Sequence, residues 1–100
     1  MKTVTVEEIN SRINAGEKLN LVDVRESFEH EEFNIGGILL PIGEIMEEQI
    51  ELIENLKNKE VILYCRSGNR SAQAALILER AGFTDIANLT GGMLSWQEKF

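Results

Sequence analysis

The residues best suited to chemistry stand together in the segment Cys65-Arg66-Ser67-Gly68-Asn69-Arg70-Ser71. Cys65 is the only cysteine of this 100-residue chain. It follows the wholly apolar run 61–64, which predicts a central strand buried on both faces. Open α/β sheets bind their ligands where strands end and helices begin. The position therefore predicts a reactive thiol.

The loop after Cys65 has the residue types that an anion site needs. Gly68 and Asn69 adopt a positive φ more easily than other types, and a tight loop with positive φ turns successive N–H groups inward. Ser71 opens a helix, whose free N–H groups and dipole favour negative charge, and it adds a hydroxyl. We expect these N–H groups and the Ser71 hydroxyl to face the sulfur of Cys65. The sulfur would then be part of a site and would not be packed only against apolar side chains.

Two arginines, Arg66 and Arg70, add positive charge to the same loop in an otherwise acidic chain. Thiols near arginines and helix N-termini have pKa values of roughly 3.5–7.5 instead of about 8.5. Cys65 is therefore predicted to be a thiolate at neutral pH. Since no second cysteine is present, a group from outside the chain must complete any thiol chemistry.

The elements that would position this loop alternate along the chain, which predicts an α/β fold around a mainly parallel sheet. Strands are expected at 2–5, 19–24, 38–40, 61–64 and 86–89. Helices are expected from a Thr5–Glu8 capping box to Gly16, after Ser27, and at 44–56, 71–81 and 93–100. The pattern of 44–56 predicts one amphipathic surface helix, and that of 71–81 a helix packed deep, because it is apolar nearly all round.

Composition narrows the classes of function. A net charge of −7 argues against non-specific nucleic-acid binding, which depends on lysine and arginine. No apolar run approaches the roughly 20 residues of a membrane span, and the N-terminus is acidic, so we expect a cytoplasmic protein. One cysteine and one histidine do not make a metal site. We expect a single domain over 1–100, monomeric and without a cofactor.

Three stretches resemble the rhodanese family. The first is the six-residue loop from Cys65 to Arg70, with Ser71 opening the helix. The second is Leu21-Val22-Asp23-Val24-Arg25-Glu26, and the third is Asn88-Leu89-Thr90-Gly91-Gly92-Met93-Leu94-Ser95-Trp96. The resemblance covers nearly the whole chain and implies a three-layer α/β/α fold with a five-stranded, mainly parallel sheet.

The resemblance also implies an activity. Cys65 would take sulfur from a donor such as thiosulfate, hold it as a persulfide, and pass it to cyanide or a thiol, including that of a sulfur-carrying protein. The backbone amides of residues 66–71 would hold the persulfide. Asp23 and Arg25 would lie near the pocket, although an internal salt bridge between strand ends explains them equally well. Gly91 and Gly92 are interpreted as turn and packing residues.

The chain departs from the family where many members have a histidine followed by Ile-x-Gly-Ala. Here the sequence reads Asn34-Ile35-Gly36-Gly37, and any role of that histidine is absent or moved. His30, the only histidine, stands among glutamates and is expected to be exposed to solvent.

Three other functions remain open. A cysteine phosphatase or arsenate reductase of similar fold would have its arginine six positions after the cysteine, whereas Arg70 is five positions on, which makes a smaller loop. A non-catalytic binding module typically lacks the loop cysteine. A redox sensor would use a low-pKa cysteine, but this chain has no resolving cysteine.

Overall fold

Five parallel strands form one central sheet in the order β1-β5-β4-β2-β3. The computed structural model describes all residues from 1 to 100. The strands are β1 (Lys2–Val4), β2 (Leu21–Asp23), β3 (Ile38–Leu39), β4 (Glu60–Tyr64) and β5 (Asp85–Leu89). The expected α/β fold with a five-stranded sheet is confirmed, and β4 occupies the central position that its apolar sequence predicted.

Helices cover both faces of the sheet and make three layers. They are α1 (Val6–Asn14), α2 (Ser27–Glu32), α3 (Ile42–Met46), a 3₁₀ helix (Glu51–Leu56), α4 (Asn69–Arg80) and α5 (Gly92–Lys99). Because successive side chains of a strand point to opposite faces, β4 contributes to two cores. Val61 and Leu63 pack with residues of α3, the 3₁₀ helix and α4, whereas Ile62 and Tyr64 pack with residues of α1 and α5.

The single helix predicted for 44–56 is wrong. Helix α3 ends at Met46, Glu48 has a φ of 60°, and the 3₁₀ helix follows. One physical reason is the spacing of the glutamates, because those at 44, 47, 48, 51 and 54 would lie three or four residues apart on one helix and repel each other. Met46, which an amphipathic helix over 44–56 would carry on its apolar face, is 64% exposed.

Helix α4 also differs from its prediction. It begins at Asn69, two residues early, and Leu76 is 51% exposed, so the helix is not buried all round. The helix ends at Arg80, one residue before the predicted end, and Gly82 just beyond the cap residue Ala81 has a φ of +105°. No helix of the protein combines the length and the apolar character that a membrane crossing requires.

Glu60 joins three elements at the amino end of the sheet. Its carboxylate accepts hydrogen bonds from Lys2 Nζ at 2.8 Å and from Arg12 Nη2 at 2.6 Å, which links β1 and α1 to β4. These partners lower the pKa of Glu60 from 4.5 to about 2. The stabilisation is thus present above pH 4.5 and is lost as the pH falls towards 2.

We predict that Glu60→Gln lowers the free energy of unfolding at pH 7 by about 1–2 kcal/mol, because charge-assisted hydrogen bonds are lost at a partly exposed site. The variant should also lose less stability than the wild type between pH 4.5 and 2. Urea unfolding at several pH values measures both. Glu51→Gln, which removes an exposed carboxylate without an ion pair, is the control. Equal pH dependence in wild type and Glu60→Gln would contradict the linkage.

Candidate active site

The backbone at the end of β4 is held by the start of α5. The carbonyl oxygen of Cys65 accepts a hydrogen bond from the amide of Met93 at 3.0 Å, and that of Arg66 accepts one from Leu94 at 2.9 Å. This close approach of α5 to the backbone after β4 requires a glycine at position 92, because a Cβ there would lie 2.3 Å from the Cys65 oxygen. The glycine has a φ of +53°, which side-chain-bearing residues rarely adopt. Gly92 is thus the packing residue that the sequence indicated.

Two amides and a hydroxyl surround the sulfur of Cys65. The amide of Gly68 donates to Sγ at 3.1 Å, the amide of Ser71 at 3.4 Å, and Ser71 Oγ lies 3.4 Å away. Gly68 has the predicted positive φ, at +101°. The same prediction is wrong for Asn69, which begins α4 with an ordinary φ. The loop therefore folds around the sulfur with a single left-handed residue.

Cys65 is only 1% exposed and its carbon atoms belong to the apolar core beside α4. The sulfur is thus both buried and hydrogen-bonded, whereas the sequence led us to expect only the second. Burial raises the pKa of the thiol. The hydrogen bonds from the Ser71 hydroxyl and from the amides of Ser71 and Gly68 lower it, and together they outweigh burial, so the pKa lies below its ordinary value.

Asn88 of β5 holds both sides of the loop. Its Nδ2 donates to the carbonyl of Gly68 at 3.2 Å, and its Oδ1 lies 2.5 Å from Ser71 Oγ. A carbonyl only accepts, so the amide nitrogen must face Gly68 and the oxygen must face Ser71. The single proton of the Ser71 hydroxyl accordingly has two acceptors, Asn88 Oδ1 and the sulfur of Cys65.

Asp23 and Arg25 form an internal salt bridge, which is one of the two interpretations that the sequence left open. Arg25 donates to Asp23 through Nε at 2.9 Å and through Nη2 at 2.8 Å, and both residues are buried. In the pairing of β2 with β4, Asp23 lies opposite Tyr64, the residue that precedes Cys65. The pair thus lies beside the loop, with its charges directed at each other.

The expectation that His30 is exposed to solvent is wrong. Its Nδ1 donates to Asp23 Oδ2 at 2.9 Å, and its side chain is 21% exposed. Asn34, in place of the family histidine, binds the His30 carbonyl through Nδ2 and accepts from the amide of Gly36 through Oδ1. Asn34 therefore serves the turn between α2 and β3.

The two loop arginines have different surroundings. Arg70 donates to Glu29 Oε1 at 2.8 Å and Oε2 at 2.9 Å, a two-point ion pair between α4 and α2. This pair lowers the pKa of Glu29 from 4.5 to about 2. Arg66 is exposed and forms no ion pair. Ser67 is exposed as well.

Sequence reasoning gave no site role to Glu29 or Asn88. Asn88 carried a signal, because it is a polar residue inside the apolar run of a buried strand, where it needs a partner. Glu29 carried none, since it stands among other glutamates that together indicate a solvated surface. No cluster of three or more histidine, cysteine or acidic side chains is placed to bind a metal. A cavity of about 640 Å³ lies at the other end of α4, near Ile77 and Ala81.

Comparison with known proteins assigns the family. The sequence matches the rhodanese-like domain over residues 5–99. The chain belongs to the rhodanese family. A rhodanese relative, the "Putative sulfur carrier protein YrkF" of Bacillus subtilis, is 35% identical over 97 residues, 96% of this chain and 51% of YrkF. The chain therefore spans about half the length of that relative.

Other rhodanese relatives have nearly the same length. A sulfurtransferase of Allochromatium vinosum is 36% identical over 91 residues, which are 90% of this chain and 82% of that protein. The structure of the human single domain sulfurtransferase TSTD1 matches with a TM-score of 0.83 and 26% identity, covering 100% of this chain and 98% of TSTD1. The TM-score confirms the expected fold.

We predict that Gly92→Ala lowers the free energy of unfolding by more than about 2 kcal/mol, because the new Cβ meets backbone and the positive φ strains it. Gly43→Ala is the matched control. No atom lies within 4 Å of a Cβ built at Gly43, so its effect should stay within about 1 kcal/mol. Urea unfolding compares the two variants, and equal losses would contradict the close approach of α5.

We predict that Ser71→Ala raises the pKa of Cys65, because one of the hydrogen bonds that lower it is removed while burial remains. The pH dependence of alkylation by iodoacetamide measures this pKa, since only the thiolate reacts. Ser67→Ala is the control, because its exposed hydroxyl forms no hydrogen bond with the sulfur. An unchanged profile for Ser71→Ala would show that the Ser71 proton stays on Asn88.

Proposed function

We propose that this protein is a sulfurtransferase in which Cys65 carries the transferred sulfur as a persulfide. The observation that supports this most directly is the pair of amides, from Gly68 and Ser71, that donate to the buried sulfur. Amides held in this way stabilise negative charge on sulfur without a metal or a general base. The relatives named for sulfur transfer and sulfur carriage support the same reaction class.

The proposed reaction has two steps. The Cys65 thiolate attacks the outer sulfur of a donor, one S–S bond forms on Cys65, and the donor's own bond to that sulfur breaks. The electron pair leaves with the remainder of the donor, which is sulfite for thiosulfate and a thiolate for a persulfide. An external cyanide or thiol then takes the outer sulfur and the Cys65 thiolate returns.

Phosphatase and arsenate reductase activity fit the site less well. An oxyanion in the loop would need a free arginine to bind it in two places. Arg70 already forms two such bonds with Glu29. The loop is also one residue shorter than a phosphatase loop, so it suits a single transferred sulfur atom better than a tetrahedral oxyanion. The cytoplasmic, monomeric, single-domain form that the sequence predicts is part of this proposal.

We predict that incubation with thiosulfate or a low-molecular-weight persulfide adds about 32 Da, one sulfur atom, to the intact protein, and that a thiol reductant removes it. Cys65→Ser should show neither the added mass nor transfer to cyanide, because no sulfur nucleophile remains. Mass spectrometry and a thiocyanate assay measure the two results. Turnover by the serine variant, or no added sulfur from any donor, would overturn the proposal.

A further inference from the structure

Three arginines stand around the candidate site, and two of them are paired with carboxylates. Arg25 is bound to Asp23 and Arg70 to Glu29. Arg66 alone has no ionic partner. Of the two arginines in the loop, Arg70 is therefore neutralised by a carboxylate from outside the loop, whereas Arg66 keeps its charge.

We propose that Glu29 is a specificity-determining residue, which by binding Arg70 makes the site select thiol persulfides over the thiosulfate dianion as sulfur donors. This inference rests on the proposed sulfurtransferase function. It concerns which donor that reaction uses.

The Glu29–Arg70 pair is well placed for this role. Its bonds of 2.8 and 2.9 Å hold the guanidinium at both of its terminal nitrogens. The Glu29 side chain is 14% exposed, so water screens the pair less than it screens a surface ion pair. The hydrogen bonds with Glu29 raise the pKa of the Arg70 guanidinium, and the charge of the Cys65 thiolate raises it to a smaller extent. Pairing with Glu29 thus removes positive charge from the surroundings of the sulfur.

The two donor classes differ in charge at the reacting group. Thiosulfate brings two negative charges, and its sulfite leaving group departs as a dianion. A persulfide R–S–SH transfers its outer sulfur to the Cys65 thiolate and leaves as the thiolate R–S⁻, while its proton stays on the new persulfide. That exchange balances atoms and electrons with a single negative charge throughout. A site with one unpaired arginine favours the reaction with the persulfide. Bringing a dianion next to the Cys65 thiolate costs free energy, because the like charges repel each other and the dianion loses its water.

The test is the second-order rate of Cys65 persulfide formation, followed by intact mass, with thiosulfate and with glutathione persulfide as separate donors. Glu29→Gln should raise the rate with thiosulfate about tenfold, because Arg70 becomes available to the dianion. The rate with the persulfide should change by less than about threefold. This increase in the rate with thiosulfate should be smaller in 0.5 M NaCl, because salt screens the attraction between Arg70 and the dianion.

Glutamine keeps the local structure that glutamate provides. The amide of Glu26 donates to Glu29 Oε1 at 3.0 Å at the start of α2, and a glutamine oxygen can accept the same bond. Glu32→Gln removes an equal charge from an exposed position of the same helix and should leave both rates unchanged. The double variant Glu29→Gln/Arg70→Gln should lose the thiosulfate gain, since no arginine is released.

The outcomes separate this inference from the proposed function. Loading of the wild type by both donors, with Glu29→Gln changing both rates by the same factor, would overturn the role of Glu29 and leave the sulfurtransferase standing. A thiosulfate gain that also occurs in Glu32→Gln, or that survives in the double variant, would overturn it as well. Failure of the wild type to load sulfur from either donor would overturn the proposed function itself.

Discussion

The sulfur of Cys65 lies in the apolar core and can hold a negative charge there only if N–H or O–H groups reach it. An unpaired charge in a protein interior is costly, and the thiol would otherwise remain protonated. The amides of Gly68 and Ser71 meet this requirement. Their positions depend on the left-handed turn at Gly68 and on the close approach of α5 at Gly92. Much of the architecture near the sheet edge serves this one contact.

Buried polar side chains near the sulfur follow the same constraint, except for the phenolic oxygen of Tyr64, which is buried without a hydrogen-bond partner. The buried polar or charged side chains are few, namely Asp23, Arg25, Ser71 and Asn88. Each is hydrogen-bonded, and each lies near the carboxyl edge of the sheet where Cys65 stands. Such side chains cost stability unless their partners are in place. Their concentration at one edge indicates that the fold is specialised there, while the remaining core is filled by apolar packing.

The net charge at the site depends on which arginines are paired with carboxylates and not on the number of arginines. The loop carries two arginines in a chain with a net charge of −7. One of them is engaged by an acidic helix that the sequence presents as a solvent-exposed face. Helix α2 contacts the site twice, through Glu29 to Arg70 and through His30 to Asp23. This short helix thereby connects the loop after β4 with the end of β2.

The sequence by itself determined the α/β class, the central place of β4, the loop that begins at Cys65 and the turn at Gly68. These features depend on local patterns, such as apolar runs, helix caps and glycine in a tight loop, which need no knowledge of distant residues. The break between α3 and the 3₁₀ helix was missed because hydrophobic spacing outweighed the repulsion among glutamates in the prediction. Asn69 was misassigned because one left-handed residue was enough to close the loop.

Only the tertiary structure decided how deeply the sulfur is buried, which arginine remains free, and what His30, Asn34, Glu29 and Asn88 contact. Glu29 and Arg70 are separated by 41 residues in the sequence, and Ser71 and Asn88 by 17. Contacts of this kind arise from the way parallel strands bring distant segments to one edge of the sheet. A hydrogen bond or an ion pair forms only when its atoms are placed to within a few tenths of an ångström, and residue type and spacing along the chain do not contain that information.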